Sequence, residues 1–183
     1  VIYDVSASDA DITDILTYSV SGTDSSLVTI DADDGEVRFK TSADYENKSS
    51  YSFNVIVTDN GVGGNLSDTQ AISLTINNLN DPPVISSGSS GSIAENASTG
   101  TIAYDASASD PDSGQSLVFS VSGTDSSLVT IDSDDGEIRL NNSANFEVKN
   151  SYSLNIIATD NGGTPSSISK AITINISDQN DSP

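Results

Sequence analysis

The feature that most constrains this chain is an internal repeat. The segment from Ser19 to Asp31, SVSGTDSSLVTID, recurs unchanged from Ser120 to Asp132, 101 residues later. A repeat of about one hundred residues has the length of one small domain. The 183-residue chain is therefore predicted to hold two copies of one domain, residues 1–81 and residues 82–183, which meet in the linker Asn78–Pro83.

Apolar and polar residues alternate along several short segments of each repeat. The clearest run is residues 152–158, where Tyr152, Leu154, Ile156 and Ala158 are separated by polar residues. Side chains two apart share one face of a strand, so each such segment buries one side. Short strands broken by Gly, Asn, Asp and Ser predict an antiparallel sandwich. We therefore predict an all-β chain of two tandem seven-stranded Greek-key, Ig-like β-sandwiches.

The two repeats differ at their beginnings. The second repeat opens with a short predicted strand at Ile93-Ala94, whereas Val1 of the first repeat already aligns with Ile102. We expect the first domain to lack its opening strand, which would lie outside this sequence. An open strand edge at that place would be prone to pairing with another chain.

Charge and composition exclude several classes of function. The chain has six Lys and Arg residues and 27 Asp and Glu residues, which gives a formal net charge of -21. Such a surface repels phosphate backbones and anionic lipid, which argues against nucleic-acid and membrane-surface partners. The chain contains no Cys and no His, so the usual catalytic bases and nucleophiles are missing. No apolar run is long enough for a membrane helix. The sequence therefore predicts a binding or structural protein, not an enzyme, without membrane insertion.

Acidic and amide side chains gather at predicted strand ends in both repeats and in the linker between them. Calcium takes roughly six to eight oxygen ligands at about 2.3–2.6 Å, several of them charged. No single segment here supplies so many, but the three places together would. The residues concerned are Asp44 and Glu46, then Asn78, Asn80 and Asp81, then Asp110, Asp112 and Asp160.

The order of these residues resembles the cadherin repeat, and the resemblance covers essentially the whole chain. The second repeat carries Ile93-Ala-Glu-Asn96, Asp110-Pro-Asp112, Asn145-Phe-Glu147, Asp160-Asn-Gly162 and Asp178-Gln-Asn-Asp181. The first repeat carries Asp9-Ala-Asp11, Asp44-Tyr-Glu46, Asp59-Asn-Gly61 and Asn78-Leu-Asn-Asp81. Each motif alone is weakly specific, but their shared order in both repeats is strong evidence.

The resemblance implies a calcium site at the junction of the two domains, with up to three ions. Its ligands would be side chains of Asp44, Glu46, Asn78, Asn80, Asp81, Asp110, Asp112 and Asp160, together with the carbonyl of Leu79. Two departures are expected to weaken it: Asn78 stands where the family has Asp, and the opening Glu of the first domain would precede Val1. The part built on Asn80, Asp110, Asp112 and Asp160 is the most complete. Glu95, Glu147, Asp178, Asn180 and Asp181 would serve a further junction, and Asp9, Asp11 and Asp59 an upstream one.

A competing calcium motif is weaker. The segments Asp31–Glu36 and Asp132–Glu137 superficially resemble an EF-hand loop, but the twelfth-position Glu and flanking helices are missing. A hairpin turn closed by Gly is the favoured interpretation.

Two functions follow from the resemblance and the composition. The favoured one is a calcium-binding extracellular module that stiffens a cell-surface adhesin array, of bacterial type, with neighbouring repeats and a homophilic partner. The alternative is a calcium-dependent polysaccharide-binding module of a secreted protein. That alternative needs exposed aromatic side chains, for which Tyr3, Tyr45, Tyr104 and Phe146 are the candidates.

Overall fold

The computed structural model describes residues 1–62 and 64–181. The chain divides into two compact units, the first ending at Leu79 and the second beginning at Asn80. The described residues form β-strands and two short 3₁₀ turns, Ser25–Leu27 and Ser126–Leu128. The predicted all-β class is confirmed.

The first unit is a sandwich of two three-stranded antiparallel sheets. Their orders are β1-β4-β3 and β2-β5-β6. The strands are β1 (Tyr3–Asp4), β2 (Thr17–Ser21), β3 (Val28–Ile30), β4 (Glu36–Phe39), β5 (Ser50–Thr58) and β6 (Ser67–Thr75). The core cluster consists of Val28, Val37, Phe53, Val55 and Ile72. Phe53 and Val55 are two apart on β5, so the alternating pattern places both inside.

The second unit has one more strand in one sheet and an additional small pair. Its sheets run β11-β14-β15-β8, β12-β13-β9 and β10-β7. The strands are β7 (Val84–Ile85), β8 (Ser90–Ala94), β9 (Ile102–Asp105), β10 (Ala108–Ser109), β11 (Val118–Ser122), β12 (Val129–Ile131), β13 (Glu137–Leu140), β14 (Ser151–Thr159) and β15 (Ser167–Ser177). Neighbouring strands are antiparallel except β8, which pairs with β15 in parallel.

The strand count of the second unit differs from the prediction of seven. The two larger sheets contain the seven predicted strands, but the structure adds β7 paired with β10. The alternating apolar positions from Ile102 to Ala108 are divided between β9 and β10 because the backbone changes partner. Ala106 N–H donates to Gly136 O, whereas Ser107 O accepts from Ser86 N–H. A two-residue strand such as Val84–Ile85 is too short to show a periodic pattern.

Strand β8 closes the second unit by passing tightly over β9. A Cβ on Gly91 would lie 2.7 Å from Ala103 O and 3.0 Å from the Tyr104 ring, so only glycine permits this approach. Ile93, two residues further, points into the core and is 7% exposed. The opening strand therefore contributes both sheet hydrogen bonds and core packing.

The Asp132–Glu137 segment is a hairpin turn between β12 and β13, as the favoured interpretation had it. Gly136 adopts a φ of 81°, the left-handed region that glycine tolerates. The Asp132 and Asp135 carboxylates accept backbone N–H groups of Asp134 and Glu137 at 3.0 and 3.1 Å. These acids stabilise the turn locally.

Candidate metal site

The nine predicted ligands are divided between the units. Asp44, Glu46, Asn78 and Leu79 belong to the first unit, where all four are exposed. Asp44 accepts the Asn47 N–H at 3.1 Å in the turn that precedes β5. Asn80, Asp81, Asp110, Asp112 and Asp160 belong to the second unit. The convergence of the two groups stays a prediction.

Asp160 follows the end of β14 and is only 4% exposed. Its carboxylate accepts the Gly162 N–H at 3.0 Å, the Ser166 N–H at 3.0 and 3.1 Å, and the Asn80 side-chain amide at 3.0 Å. Burial raises the pKa of this carboxyl, but the hydrogen bonds from Asn80, Gly162 and Ser166 outweigh it and hold the pKa below its usual value. Asp160 is therefore a buried anion held in one orientation.

Asp110 and Asp112 form the second half of the cluster. Asp112 is 4% exposed and its Oδ2 accepts the Asp81 N–H at 2.8 Å. Asp110 Oδ1 accepts the Asp112 N–H at 2.9 Å, whereas Asp110 Oδ2 is buried without a hydrogen-bond partner. A buried carboxylate oxygen without a donor is costly unless a cation or proton compensates it.

Asn80 connects the linker to Asp160 and to a residue that sequence reasoning missed. Its Nδ2 donates to Asp160 Oδ2 at 3.0 Å and to Thr164 O at 3.3 Å. Its Oδ1 accepts from Gln115 Nε2 at 2.7 Å. An uncharged Gln in a loop gives no signal in a search for carboxylates. Only its alignment with Asp14 in the first repeat marks the position.

The second-unit cluster fits a calcium ion in its donor chemistry. The three carboxylates are hard ligands of the kind calcium prefers, whereas Asn80 directs its amide nitrogen towards Asp160. The residues are Asn80, Asp110, Asp112 and Asp160, and the orphaned Asp110 Oδ2 is the atom that most needs a cation.

Among residues 1–62 and 64–181, two groups of three carboxylates have oxygens within 4.8 Å of one another, and neither group includes Asp110, Asp112 or Asp160. Asp9, Asp11 and Asp14 lie with their oxygens within 4.8 Å of one another. Asp14 was not predicted. Burial raises the pKa of its carboxyl, and the charges of Asp11, Asp9 and Asp59 raise it further.

The corresponding gathering in the second unit is Glu95, Glu147 and Asp181, also within 4.8 Å. Glu95 is 2% exposed and accepts the N–H groups of Phe146 at 2.9 Å and Gln179 at 2.7 Å. These hydrogen bonds lower the pKa of its carboxyl. Both places are among the outlying half-sites that the resemblance implies.

The aromatic side chains offer little flat exposed surface. Of the four candidates, Tyr45 is 39% exposed and Tyr104 is 6% exposed, while Tyr3 and Phe146 are half-buried. Among residues 1–62 and 64–181, no helix is long and apolar enough to cross a membrane.

Comparisons with known proteins point in one direction. The cadherin domain family model matches residues 89–177. Human protocadherin Fat 4 is 32% identical over 186 residues, which cover 98% of this chain and 4% of that protein. Human protocadherin-1 is 31% identical over 188 residues, covering 99% of this chain and 18% of the relative. The chain thus spans a small part of these relatives.

Two solved structures of cadherin repeats have a similar fold. Repeats EC1-2 of human protocadherin-24 match 97% of this chain and 88% of theirs, with a TM-score of 0.70 and 25% identity. Drosophila N-cadherin EC1-4 matches 95% of this chain and 44% of its own, with a TM-score of 0.72 and 22% identity, which is likeness of fold alone. Residues 89–177 thus match the cadherin domain family, and the sandwich fold of the chain is the fold of these cadherin structures.

Proposed function

We propose that this chain is a calcium-binding extracellular module that stiffens an array of cadherin repeats in a cell-surface adhesin and thereby supports adhesion. Neighbouring repeats and a homophilic partner are its proposed contacts. The extracellular placement is supported by similarity to the extracellular cadherin domains of protocadherin gamma B2, with a TM-score of 0.67 and 26% identity. The adhesin of bacterial type is proposed from the acidic, Asn- and Ser-rich composition.

The observation that carries the proposal is the buried anionic cluster of the second unit. Asp112 and Asp160 are each 4% exposed, and Asp110 Oδ2 is buried with no donor. Asp110 and Asp112 are linked through the Asp112 N–H, and the adjacent linker residues Asn80 and Asp81 contact Asp160 and Asp112 respectively. A divalent cation would neutralise these carboxylates, and the donor set suits calcium.

The proposed ion would act on the linker through Asn80 and Asp81. Asn80 already contacts Asp160, and the Asp81 N–H contacts Asp112, so the linker is tied to two carboxylates of the second unit. The remaining proposed ligands, Asp44, Glu46, Asn78 and the carbonyl of Leu79, come from the first unit. Shared ligation would restrict hinge motion between repeats.

Polysaccharide binding is the weaker candidate. Sugar recognition on a flat surface uses aromatic faces, and of the ten Tyr and Phe residues, all of which the structure describes, only Tyr45 belongs to the exposed large apolar side chains. One isolated ring does not make a platform. We therefore favour adhesion and spacing, a binding role without catalysis.

Calcium titration by calorimetry on chelator-stripped protein tests the proposal. The unaltered chain should bind calcium saturably, in the millimolar range or tighter. The double variant Asp110→Asn, Asp112→Asn should lose about tenfold or more in affinity, because two anionic ligands become neutral. Small-angle scattering on the same samples should show a narrower distribution of shapes with calcium.

A matched control is available in the hairpin turn. The double variant Asp132→Asn, Asp134→Asn removes the same number of charges at the same spacing from the turn, where Asp132 Oδ1 accepts the Asp134 N–H and Asp134 Oδ1 accepts from Ser133 Oγ. It should leave calcium binding nearly unchanged. Equal weakening by both double variants would show that only net charge attracts calcium, and the absence of binding by the unaltered chain would overturn the calcium mechanism.

A further inference from the structure

The side-chain amide of Asn80 occupies the space next to Gly162 that a side chain at residue 162 would need. A Cβ on Gly162 would lie 2.5 Å from Asn80 Cγ and closer still to Oδ1. Any side chain at residue 162 would therefore displace the amide. At the neighbouring Gly163, the position that a Cβ would take has nothing within 4 Å, so the restriction is specific to one residue.

The amide of Asn80 presents its nitrogen to the carboxylate cluster. Nδ2 faces Asp160 Oδ2 and Thr164 O, which are both acceptors, and Oδ1 faces Gln115 Nε2. Calcium binds oxygen and not an amide nitrogen. In this orientation Asn80 satisfies the cluster by hydrogen bonding and offers no ligand atom to an ion.

A half-turn of the Asn80 amide exchanges its oxygen and nitrogen at the same two positions. Oδ1 would then face Asp160 and Thr164, an arrangement of acceptors that requires a cation between them. Nδ2 would face Gln115, which must then supply an acceptor. Gln115 has one: its Oε1 is buried and makes no hydrogen bond.

We propose that Gln115 is a positioning residue for calcium ligation. Without the ion it holds the Asn80 amide with its nitrogen towards Asp160. With the ion, Gln115 turns its own amide and holds Asn80 with its oxygen towards Asp160. This inference rests on the proposed calcium function. Gln115 touches Asn80 and acts through it, since either end of its amide matches the opposite end of the Asn80 amide.

The first unit has a different arrangement at the same place. Asp14 is the counterpart of Gln115 in the repeat, and its Oδ2 lies 2.7 Å from where a Cβ on Gly61 would stand. The space above this glycine is thus taken by a carboxylate of the unit's own loop. A carboxylate has no hydrogen to donate, so Asp14 cannot alternate between donor and acceptor as the Gln115 amide can. The proposed exchange is therefore a property of the second unit.

Calorimetric calcium titration of three variants tests the proposal. Gln115→Met keeps the side-chain length but removes both hydrogen-bonding atoms, and should weaken calcium binding about two- to tenfold, as the loss of one hydrogen bond does. Gln115→Glu keeps an acceptor for Asn80 Nδ2 and should bind at least as tightly as the unaltered chain. Gly162→Ala should weaken binding strongly, whereas Gly163→Ala should not.

Side-chain amide resonances in nitrogen-15 NMR supply a readout independent of affinity. Calcium should shift the Asn80 and Gln115 amide signals together in the unaltered chain. In Gln115→Met the Asn80 signal should already differ without calcium. Backbone spectra of each variant confirm that the fold is retained.

The outcomes separate the two proposals. Calcium binding of unaltered strength in Gln115→Met, or an Asn80 amide signal insensitive to that substitution, would overturn the positioning role while leaving the calcium function intact. No calcium binding by the unaltered chain would overturn both. Equal weakening by Gln115→Met and Gln115→Glu would also contradict the exchange, because the acceptor would then be irrelevant.

Discussion

The two units share a thirteen-residue identical segment yet bury very different amounts of apolar surface. The second unit has a core cluster of sixteen buried residues, and the first has five. Equivalent positions show the contrast directly: Ile174 is fully buried, whereas Leu74 at the matching place is half-buried. Leu140 of the second unit is likewise buried, whereas its counterpart Phe39 in the first unit is half-buried.

Strand β8 accounts for much of this difference. It pairs with β15 over five register positions, from Thr173 with Ser90 to Ser177 with Ala94. In the first unit, β6 is hydrogen-bonded only to β5 among the strands described. An additional strand satisfies the edge hydrogen bonds and covers the end of the core.

The largest expected effect comes from truncating the two matching core residues. Ile174→Ala should lower the free energy of unfolding of the second unit by about 2–5 kcal/mol, the usual cost of a cavity at a fully buried position. Leu74→Ala should cost the first unit clearly less, since its side chain already meets solvent. Residue-resolved hydrogen exchange on the intact chain reads each unit separately. Equal losses would show that the first core is as tightly packed as the second.

An ion pair between a buried aspartate and a solvent-facing lysine should behave alike in both units, in contrast to the core. Asp125 Oδ2 accepts the Ser153 N–H at 2.7 Å and its Oδ1 lies 3.0 Å from Lys149 Nζ. Asp24 with Lys48 repeats the arrangement at 3.2 Å. Asp125→Ala should destabilise the second unit by about 1–3 kcal/mol, because a backbone donor and a lysine lose their partner. Denaturant unfolding measures the change, and Asp24→Ala should shift the first unit in the same direction.

Acid titration checks the origin of that stability. The Ser153 N–H lowers the pKa of Asp125 most, and the Ser52 N–H does the same for Asp24. A folded-state pKa below the unfolded value of about 3.9 gives stability that is complete above that value and is lost as the pH falls through the folded pKa. The cost of Asp125→Ala should therefore shrink under acid. A cost independent of pH would point to lost packing instead.

The smallest expected effect comes from removing the charge of Asp14 in the first unit, where the second unit has the neutral Gln115. Burial and the neighbouring acids raise the pKa of Asp14, so its charged form costs stability once the pH rises from the unfolded pKa through the folded one. Asp14→Asn should raise the melting temperature of the first unit in chelator at pH 7. The gain should vanish in strong acid, below the unfolded pKa, where the carboxyl is protonated in both the folded and the unfolded state. A gain that persists in acid would contradict this account.

Long alternating segments were predictable because their pattern is local. Tyr152, Leu154, Ile156 and Ala158 on β14 are all buried, as period two requires. The short pair β7 and β10 was not predictable, since two residues carry no period and their pairing joins Val84 to Ser109 across the unit. Local sequence signals cannot encode such a contact.

The candidate site divides in the same way. Asp110, Asp112 and Asp160 were predicted from charge, spacing and the family resemblance, and the structure links two of them through the Asp112 N–H and buries two. Gln115 was not predicted because its contact with Asn80 joins residues distant in sequence, whereas Asp14 was not predicted although it lies three residues after Asp11. Gln115 meets Asn80 across 35 residues, and a neutral amide in a loop has no mark of its own.

By itself the sequence determined the two-fold repeat, the all-β class and the carboxylates available for a hard cation. Periodicity and charge are properties of neighbouring residues, so they can be recognised without the fold. Only the tertiary structure decided that β8 closes one sandwich, that Asp110 Oδ2 is buried without a donor and that Asn80 rests between Gly162 and Gln115. Those features depend on which distant segments exclude water from one another, and burial of that kind exists only after folding.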